Sequence, residues 1–118
     1  MVRYYLERIA GAGHLNAFLE VYETEALERA RELDARISRG ETLGPLAGVI
    51  VGNKDVICYK DHKVSAASHI LEGFTSLYSA TAIERLLAAD AIIIGSLNCD
   101  EFAMGSTNEN SAYGPVLN

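Results

Sequence analysis

Hydrophobic residues recur along this chain with two spacings, one typical of helices and the other typical of strands. Helical spacing first covers the segment from Val2 to Ile9. It returns between Thr24 and Gly40, where the apolar stripe consists of Ala26, Ala30, Leu33 and Ile37. Thr24 is the predicted N-cap of this second helix, and Gly40 is its predicted stop.

A third helix is predicted to begin at Ser79 or Thr81, because Thr81-x-x-Glu84 has the spacing of a capping box. The apolar residues expected on its buried face are Ile83, Leu86 and Leu87. The pattern then predicts a short helix from Asn98 and a polar loop after Gly105.

Three short apolar runs predict strands. The run from Leu46 to Val51 is continuous and contains β-branched residues, as expected for a strand that is covered on both faces. Leu15 to Tyr22 alternates weakly, and Ala91 to Ile94 is a second continuous run. The order strand, helix, strand favours an α/β fold with helices packed on a small mixed or parallel sheet. We expect residues 1–118 to form a single domain.

Composition narrows the classes of partner. The 118 residues carry a net charge of −6, and an acidic surface repels phosphate backbones, so no direct nucleic-acid contact is expected. No apolar run approaches the ~20 residues that a membrane span requires. The two cysteines and the lack of a signal peptide predict a cytoplasmic protein.

Lys54 is the charged residue that stands out. It follows the apolar run that ends at Val51, and ligands gather at the carboxyl ends of strands in open α/β sheets. A lysine held there among apolar groups loses hydration, which favours its neutral, basic form. The alternative, favoured by composition and spacing alone, is a lysine that leaves the strand and pairs with Asp55.

Other polar groups carry weaker signals. The segment from Gly105 to Ser111 has many hydrogen-bond donors, so it could line a pocket, although such segments are more often solvated loops. Cys58, His62 and His69 are candidate zinc ligands, but they lack the paired spacing of a zinc site. We therefore predict neither a metal nor a cofactor. Ser65 and Ser68 have no histidine and aspartate at a recognisable spacing, so no triad is assigned.

Three stretches together resemble the amidase-signature family, and specifically its glutamine-hydrolysing amidotransferase A subunits. Leu46–Asp55 is similar to the family's glycine-rich strand that ends in Lys-Asp. Ser68–Glu72 with Ala80–Leu86 resembles the next helical block, and Asn98–Pro115 is the most specific match. The resemblance covers nearly the whole chain, and it departs from the family at Asn53, where a small or apolar residue usually precedes the lysine.

The resemblance implies an α/β amidase-signature fold and a Ser–cis-Ser–Lys triad, with Lys54 as the base. It also implies that Met104, Gly105 and Ser106 contribute to binding the amide substrate. Glutamine would be the substrate of the complete enzyme, and B and C subunits of the amidotransferase would be the partners. The triad serines are expected beyond Asn118.

Three hypotheses follow. The first is an N-terminal fragment of the glutaminase subunit that carries the triad lysine and is inactive alone, because an acyl transfer without its nucleophile loses the covalent route. The second is a standalone structural module, which would expose sheet edges and form a homodimer. The third is a split amidase, in which another chain supplies both serines.

Overall fold

A small sheet forms the centre of the computed structural model, which describes residues 1–118. The helices and strands, in chain order, are α1 (Val2–Gly11), β1 (Phe18–Val21), α2 (Glu23–Ser38), β2 (Ile50–Lys54), α3 (Thr81–Ala88) and β3 (Ile92–Leu97). Short 3₁₀ turns occur at Gly13–Leu15, His69–Leu71 and Glu101–Ala103. None of the helices has the length and apolar character needed to cross a membrane.

The strand order in the sheet is β1-β3-β2. β3 pairs in parallel with β2 and antiparallel with β1, so the sheet is mixed. The connection between β2 and β3 contains α3, as a parallel crossover requires. The predicted α/β class and the predicted parallel pair are therefore confirmed. Register places Lys54 beside Leu97, at the carboxyl ends of both parallel strands.

The central strand divides the core into two parts. Ile92 and Ile94 pack with Val2, Ala26 and Leu33 on the side of α1 and α2. Ile93 packs on the other face, with Tyr22 and Ile83. This alternation follows from the two-residue period of a strand, and each buried isoleucine contributes roughly 1.5–3 kcal/mol of burial free energy.

The helix caps differ from the sequence prediction. α2 begins at Glu23 with Tyr22 at the cap position and no side-chain cap bond, so the prediction of Thr24 as N-cap is wrong. The reason is tertiary: the Tyr22 N–H donates to Ile94 O (2.9 Å), which fixes the entry to the helix. α3 begins at Thr81, one of the two predicted starts, but Ala80 takes the cap position without a side-chain cap bond, so the predicted capping box does not form.

The strand bounds also differ. Leu46–Val51 was predicted to be one strand covered on both faces, but β2 begins only at Ile50. Gly48 has φ +82° inside a turn, and Val49 is exposed. β2 lies at the edge of the sheet, so only Asn53 within it is buried. The weak strand expected from Leu15 to Tyr22 begins at Phe18, and β3 extends three residues beyond the predicted end at Ile94.

An ionic cluster ties α2 to the turn before β3. The buried Asp90 carboxylate accepts from Arg29 (2.9 Å) and Arg36 (2.7 Å), and from the Gly44 N–H (2.6 Å). Asp90 has φ +68°, a backbone conformation that Asp and Asn adopt more readily than most residues. The guanidinium of Arg36 and the Gly44 N–H hold the pKa of Asp90 below its usual range.

Asp90→Asn is expected to lower the stability of the chain, because the substitution removes the charge and retains a side chain that tolerates this φ. A carboxyl whose pKa is lowered in the folded state stabilises it above the unfolded pKa, and this contribution disappears as pH falls through the folded pKa. Urea unfolding should therefore show a larger difference from wild type at pH 7 than at pH 3. Exposed Asp34→Asn in α2 is the control. A difference that does not change with pH would contradict this account.

Candidate functional site

Lys54 is the last residue of β2 and its side chain is exposed. Every ion pair in the structure uses an arginine or a histidine as its cation, so the Lys54 amine is not engaged in one. Leu97 lies beside Lys54 in the register, and the chain then runs through Cys99 into the 3₁₀ turn. The amine is therefore exposed and outside any ion pair at the carboxyl end of the parallel strands.

Asp55 does not pair with Lys54, so the pairing considered from sequence is wrong. The Asp55 residue is only 4% exposed, and its carboxylate accepts from Ser65 N, Ser65 Oγ (2.6 Å), Ala67 N (2.9 Å) and Ser96 Oγ. Consecutive residues at a strand end point in opposite directions, which separates the two charges. The sequence analysis did not find the serines that bind Asp55, because no local spacing points to them.

The segment from Val64 to Ser68 folds around this carboxylate. Ala66 and Ala67 have φ +52° and +51°, a left-handed conformation that costs energy for alanine. Ala66 O accepts from Phe102 N (2.8 Å), and Ala67 O accepts from Ala112 N (2.9 Å). Asp55 is thereby connected to the polar segment that follows β3.

That polar segment is organised by Asp100. Its carboxylate accepts from Asn108 N (2.9 Å) and Asn110 N (3.1 Å), and the residue is buried. Many of the donors seen in the sequence are used in such internal hydrogen bonds. The short helix expected from Asn98 is a 3₁₀ turn over Glu101–Ala103, because Asn98 instead uses its side chain to bind Asn16 O and Gly114 O.

The residues expected to bind substrate lie together on the surface. Met104 is 76% exposed, and Gly105 and Ser106 are exposed beside it. No hydrogen bond connects Lys54 to these three residues. Burial raises the pKa of the Cys99 thiol, while the Lys54 charge acts in the opposite direction.

No group of three or more histidine, cysteine or acidic side chains is placed to hold a metal ion. His62 has another environment. Its ring stacks on Tyr59 with centroids 4.0 Å apart, and its nitrogens contact Glu25 Oε2 (2.7 Å) and Lys60 O (2.8 Å). His69 contacts the exposed Glu72 at 3.1 Å.

A cavity of about 470 Å³ lies on the Asp55 side of the strand end. Its lining includes Glu20, Asp55, Ser65, Ser96 and Tyr113, and does not include Lys54. Glu20 Oε2 is buried without a hydrogen-bond partner. The strand end thus has a polar, acidic side and a separate side on which the Lys54 amine is exposed.

Comparison with known proteins places this chain in a family. A family model described as Amidase matches residues 1–118, so the chain belongs to the amidase family. Among curated proteins, it is 57% identical over 115 residues to the A subunit of the glutamyl-tRNA(Gln) amidotransferase of Thermobifida fusca, a match that covers 97% of this chain and 23% of that protein.

Solved structures agree with this assignment. A structure described as a vestigial protein complex that reveals the origins of an s-triazine catabolic enzyme matches with a TM-score of 0.91 and 36% identity, over 98% of this chain and 26% of that one. The A subunit of the glutamyl-tRNA(Gln) amidotransferase of Thermotoga maritima matches with a TM-score of 0.75 and 30% identity, over 99% and 23%. This chain therefore spans about a quarter of the length of these relatives.

Gly105→Ala is expected to disturb the segment after β3 for a steric reason. A Cβ on Gly105 would overlap the buried Asp100 carboxylate, which is held by the backbone of Asn108 and Asn110. Overpacking of this kind costs roughly 1–3 kcal/mol, measurable by urea unfolding. Gly11→Ala is the matched control, because nothing lies within 4 Å of a Cβ at the end of α1. Equal free energies of unfolding for the two variants would show that the segment after β3 accommodates the added Cβ without loss of stability.

Proposed function

We propose that this chain supplies the lysine base, and part of the amide-binding surface, of a glutamine amidohydrolase. The ammonia released from glutamine would serve the conversion of Glu-tRNA(Gln) to Gln-tRNA(Gln). The observation that carries the proposal is the free Lys54 amine at the carboxyl end of the parallel strands. Identity of 57% to the A subunit of an amidotransferase named for glutamyl-tRNA(Gln) supports the choice of substrate and pathway.

The position of Lys54 suits a base. Ligands of open α/β sheets gather where Lys54 lies, and a lysine accepts a proton only when its amine is neutral. Asp55 would otherwise be the nearest acid to stabilise the charged form, but its carboxylate is occupied by Ser65, Ala67 and Ser96. Packing of further protein over the exposed amine would remove water and favour its neutral form.

The proposed reaction is an acyl transfer in which two serines outside these 118 residues take part. Lys54 Nζ accepts the proton of a bridging serine, which takes the proton of the nucleophilic serine as that oxygen attacks the glutamine amide carbon. The C–N bond breaks, and ammonia leaves with a returned proton. Water then hydrolyses the acyl-enzyme to glutamate and regenerates the serine.

The remaining parts of the proposal concern the surroundings of Lys54. Met104, Gly105 and Ser106 would contact the amide substrate, and their exposure in this chain is compatible with that role. B and C subunits of the amidotransferase would be the partners, with any tRNA held by a partner rather than by this acidic chain. The 118 residues on their own would release no ammonia from glutamine.

A chimera tests the role of Lys54. This chain replaces the matching 115 residues of the Thermobifida fusca protein, and ammonia release from glutamine is measured with the partner subunits present. Lys54→Ala is expected to lower kcat by about 10²–10⁴-fold, the range typical of a lost general base. Lys60→Ala, another exposed lysine six residues away, should leave kcat unchanged.

An active chimera that keeps its kcat after Lys54→Ala would exclude Lys54 as the base. Circular dichroism and thermal unfolding of each variant establish that a loss of activity is not a loss of fold. The isolated chain, assayed in the same way, should show no activity above the buffer rate.

A second candidate function, association through apolar contacts, is favoured by two observations. Large hydrophobic side chains cluster in the segment before α3 with high exposure, namely Ile70, Leu77 (80%) and Tyr78. The outer edges of β1 and β2 carry no further strand. Exposed apolar patches and open sheet edges both favour association. In this case the chain would act as a structural module that forms a homodimer.

Sedimentation velocity over a range of concentrations tests this second candidate. We expect concentration-dependent dimerisation, and we expect Leu77→Gln to weaken it because glutamine removes an apolar contact from the patch. Leu117→Gln, which changes an exposed leucine outside the segment before α3, is the control. A monomer at every concentration would leave the patch without a role in self-association.

A further inference from the structure

We propose that Asp55 is a positioning residue that holds the Lys54 strand end in register with the segment carrying Met104. The Asp55 residue is buried and follows Lys54 directly, yet its carboxylate makes no contact with the lysine. All of its donors belong to Ser65, Ala67 and Ser96, which lie on other parts of the chain.

The backbone of Asp55 adds two further bonds. Asp55 N donates to Leu97 O (3.0 Å), which fixes the strand end against β3. Asp55 O accepts from Ala66 N (3.0 Å), which fixes the neighbouring segment. One residue therefore joins the end of β2, the end of β3 and the segment around Ala66.

Hydrogen bonds connect the left-handed segment to the region after β3. Ala66 O and Ala67 O accept from Phe102 N and Ala112 N, and Ser68 Oγ donates to Glu101 Oε1 (2.6 Å). Met104 lies two residues after Phe102, which itself has φ +51°. The contacts thus form a continuous path from Asp55 to the start of the expected substrate-binding residues.

The conformation of this segment shows that it depends on Asp55. Two successive alanines with positive φ are strained, and such a backbone persists only where surrounding bonds hold it. On the β2 side, Ser65 N, Ser65 Oγ and Ala67 N donate to the Asp55 carboxylate, and a single backbone bond, from Ala66 N to Asp55 O, accompanies them. Without the negatively charged Asp55 acceptor, we expect the segment to leave this strained backbone conformation.

The consequence for catalysis rests on the proposed function. If Lys54 is the base, its amine must meet the bridging serine and the bound amide together. A displacement of about 1 Å in such a geometry costs about 100-fold in rate. Asp55 does not touch the reacting atoms, so its effect passes through the placement of Lys54 relative to the segment after β3.

The first test uses the 118-residue chain and does not depend on the proposed function. Asp55→Asn places an amide N–H₂ among donors, and hydrogen exchange followed by NMR should show faster exchange at Ala67, Phe102 and Ala112. Amides paired within the sheet, such as Tyr22 to Ile94, should keep their protection. Ser65→Ala, which removes only the 2.6 Å bond, should give a smaller effect at the same amides. Asp34→Asn, exposed on α2, is the control.

Unchanged exchange at these amides in Asp55→Asn would overturn the proposal. Global loss of protection would mean that this variant does not fold. The test then rests on Ser65→Ala, where local loss supports the proposal and no loss overturns it.

The second test measures kcat and KM of the chimera described above, per active site titrated with an acylating inhibitor. Asp55→Asn should lower kcat by about 100-fold with a smaller change in KM, and should alter the pH profile of kcat. A merely structural defect would lower the active fraction and leave kcat per site and its pH profile unchanged, which would overturn the positioning role.

The two proposals can fail separately. If Lys54→Ala leaves an active chimera unaffected, the proposed function fails while the exchange result for Asp55 stands by itself. If Lys54→Ala abolishes activity and Asp55→Asn has normal kcat and exchange, only the positioning role is lost.

Discussion

Burial of the Asp55 carboxylate without a cation is the constraint on which the functional end of this structure depends. A buried charge is expensive unless it is compensated by hydrogen bonds, and here the compensation comes entirely from backbone N–H groups and serine hydroxyls. In the segment that brings Ser65 and Ala67 to the carboxylate, Ala66 and Ala67 adopt left-handed conformations. The end of β2, the end of β3 and the polar segment beyond it are therefore arranged around one acidic group.

A second buried carboxylate, at the opposite end of β3, is compensated by cations instead. Asp90 is also a buried aspartate beside the central strand, but it is neutralised by the guanidinium groups of Arg29 and Arg36. That cluster stabilises the fold, and both arginine side chains are held in ion pairs. At the Asp55 end, neutral donors satisfy the carboxylate, so the neighbouring Lys54 is left without a partner. A free amine can take part in chemistry, whereas an amine held in an ion pair is stabilised in its charged form.

Local patterns predicted the elements better than their ends. The helical stripe from Ala26 to Ile37 lies in α2, and the Ile92–Ile94 run lies in the fully buried part of β3. The errors occur where tertiary structure sets the end of an element. The hydrogen bond from Tyr22 N to Ile94 O sets the start of α2, and the turn at Gly48 places the start of β2 later in the chain than predicted. The flanking motifs around Lys54 predicted its family, and the match over residues 1–118 confirmed it.

The sequence by itself determined the α/β class, the parallel pair, the position of Lys54 at a strand end and membership of the amidase family, because periodicity and local motifs encode all four. Only the tertiary structure decided that Asp55 turns away from Lys54, binds Ser65 and Ser96, and connects to the segment after β3. These partners lie ten and 41 residues away along the chain. No local spacing reports which of many serines will meet a given carboxylate, since that depends on how the strands pair and how the chain between them is folded.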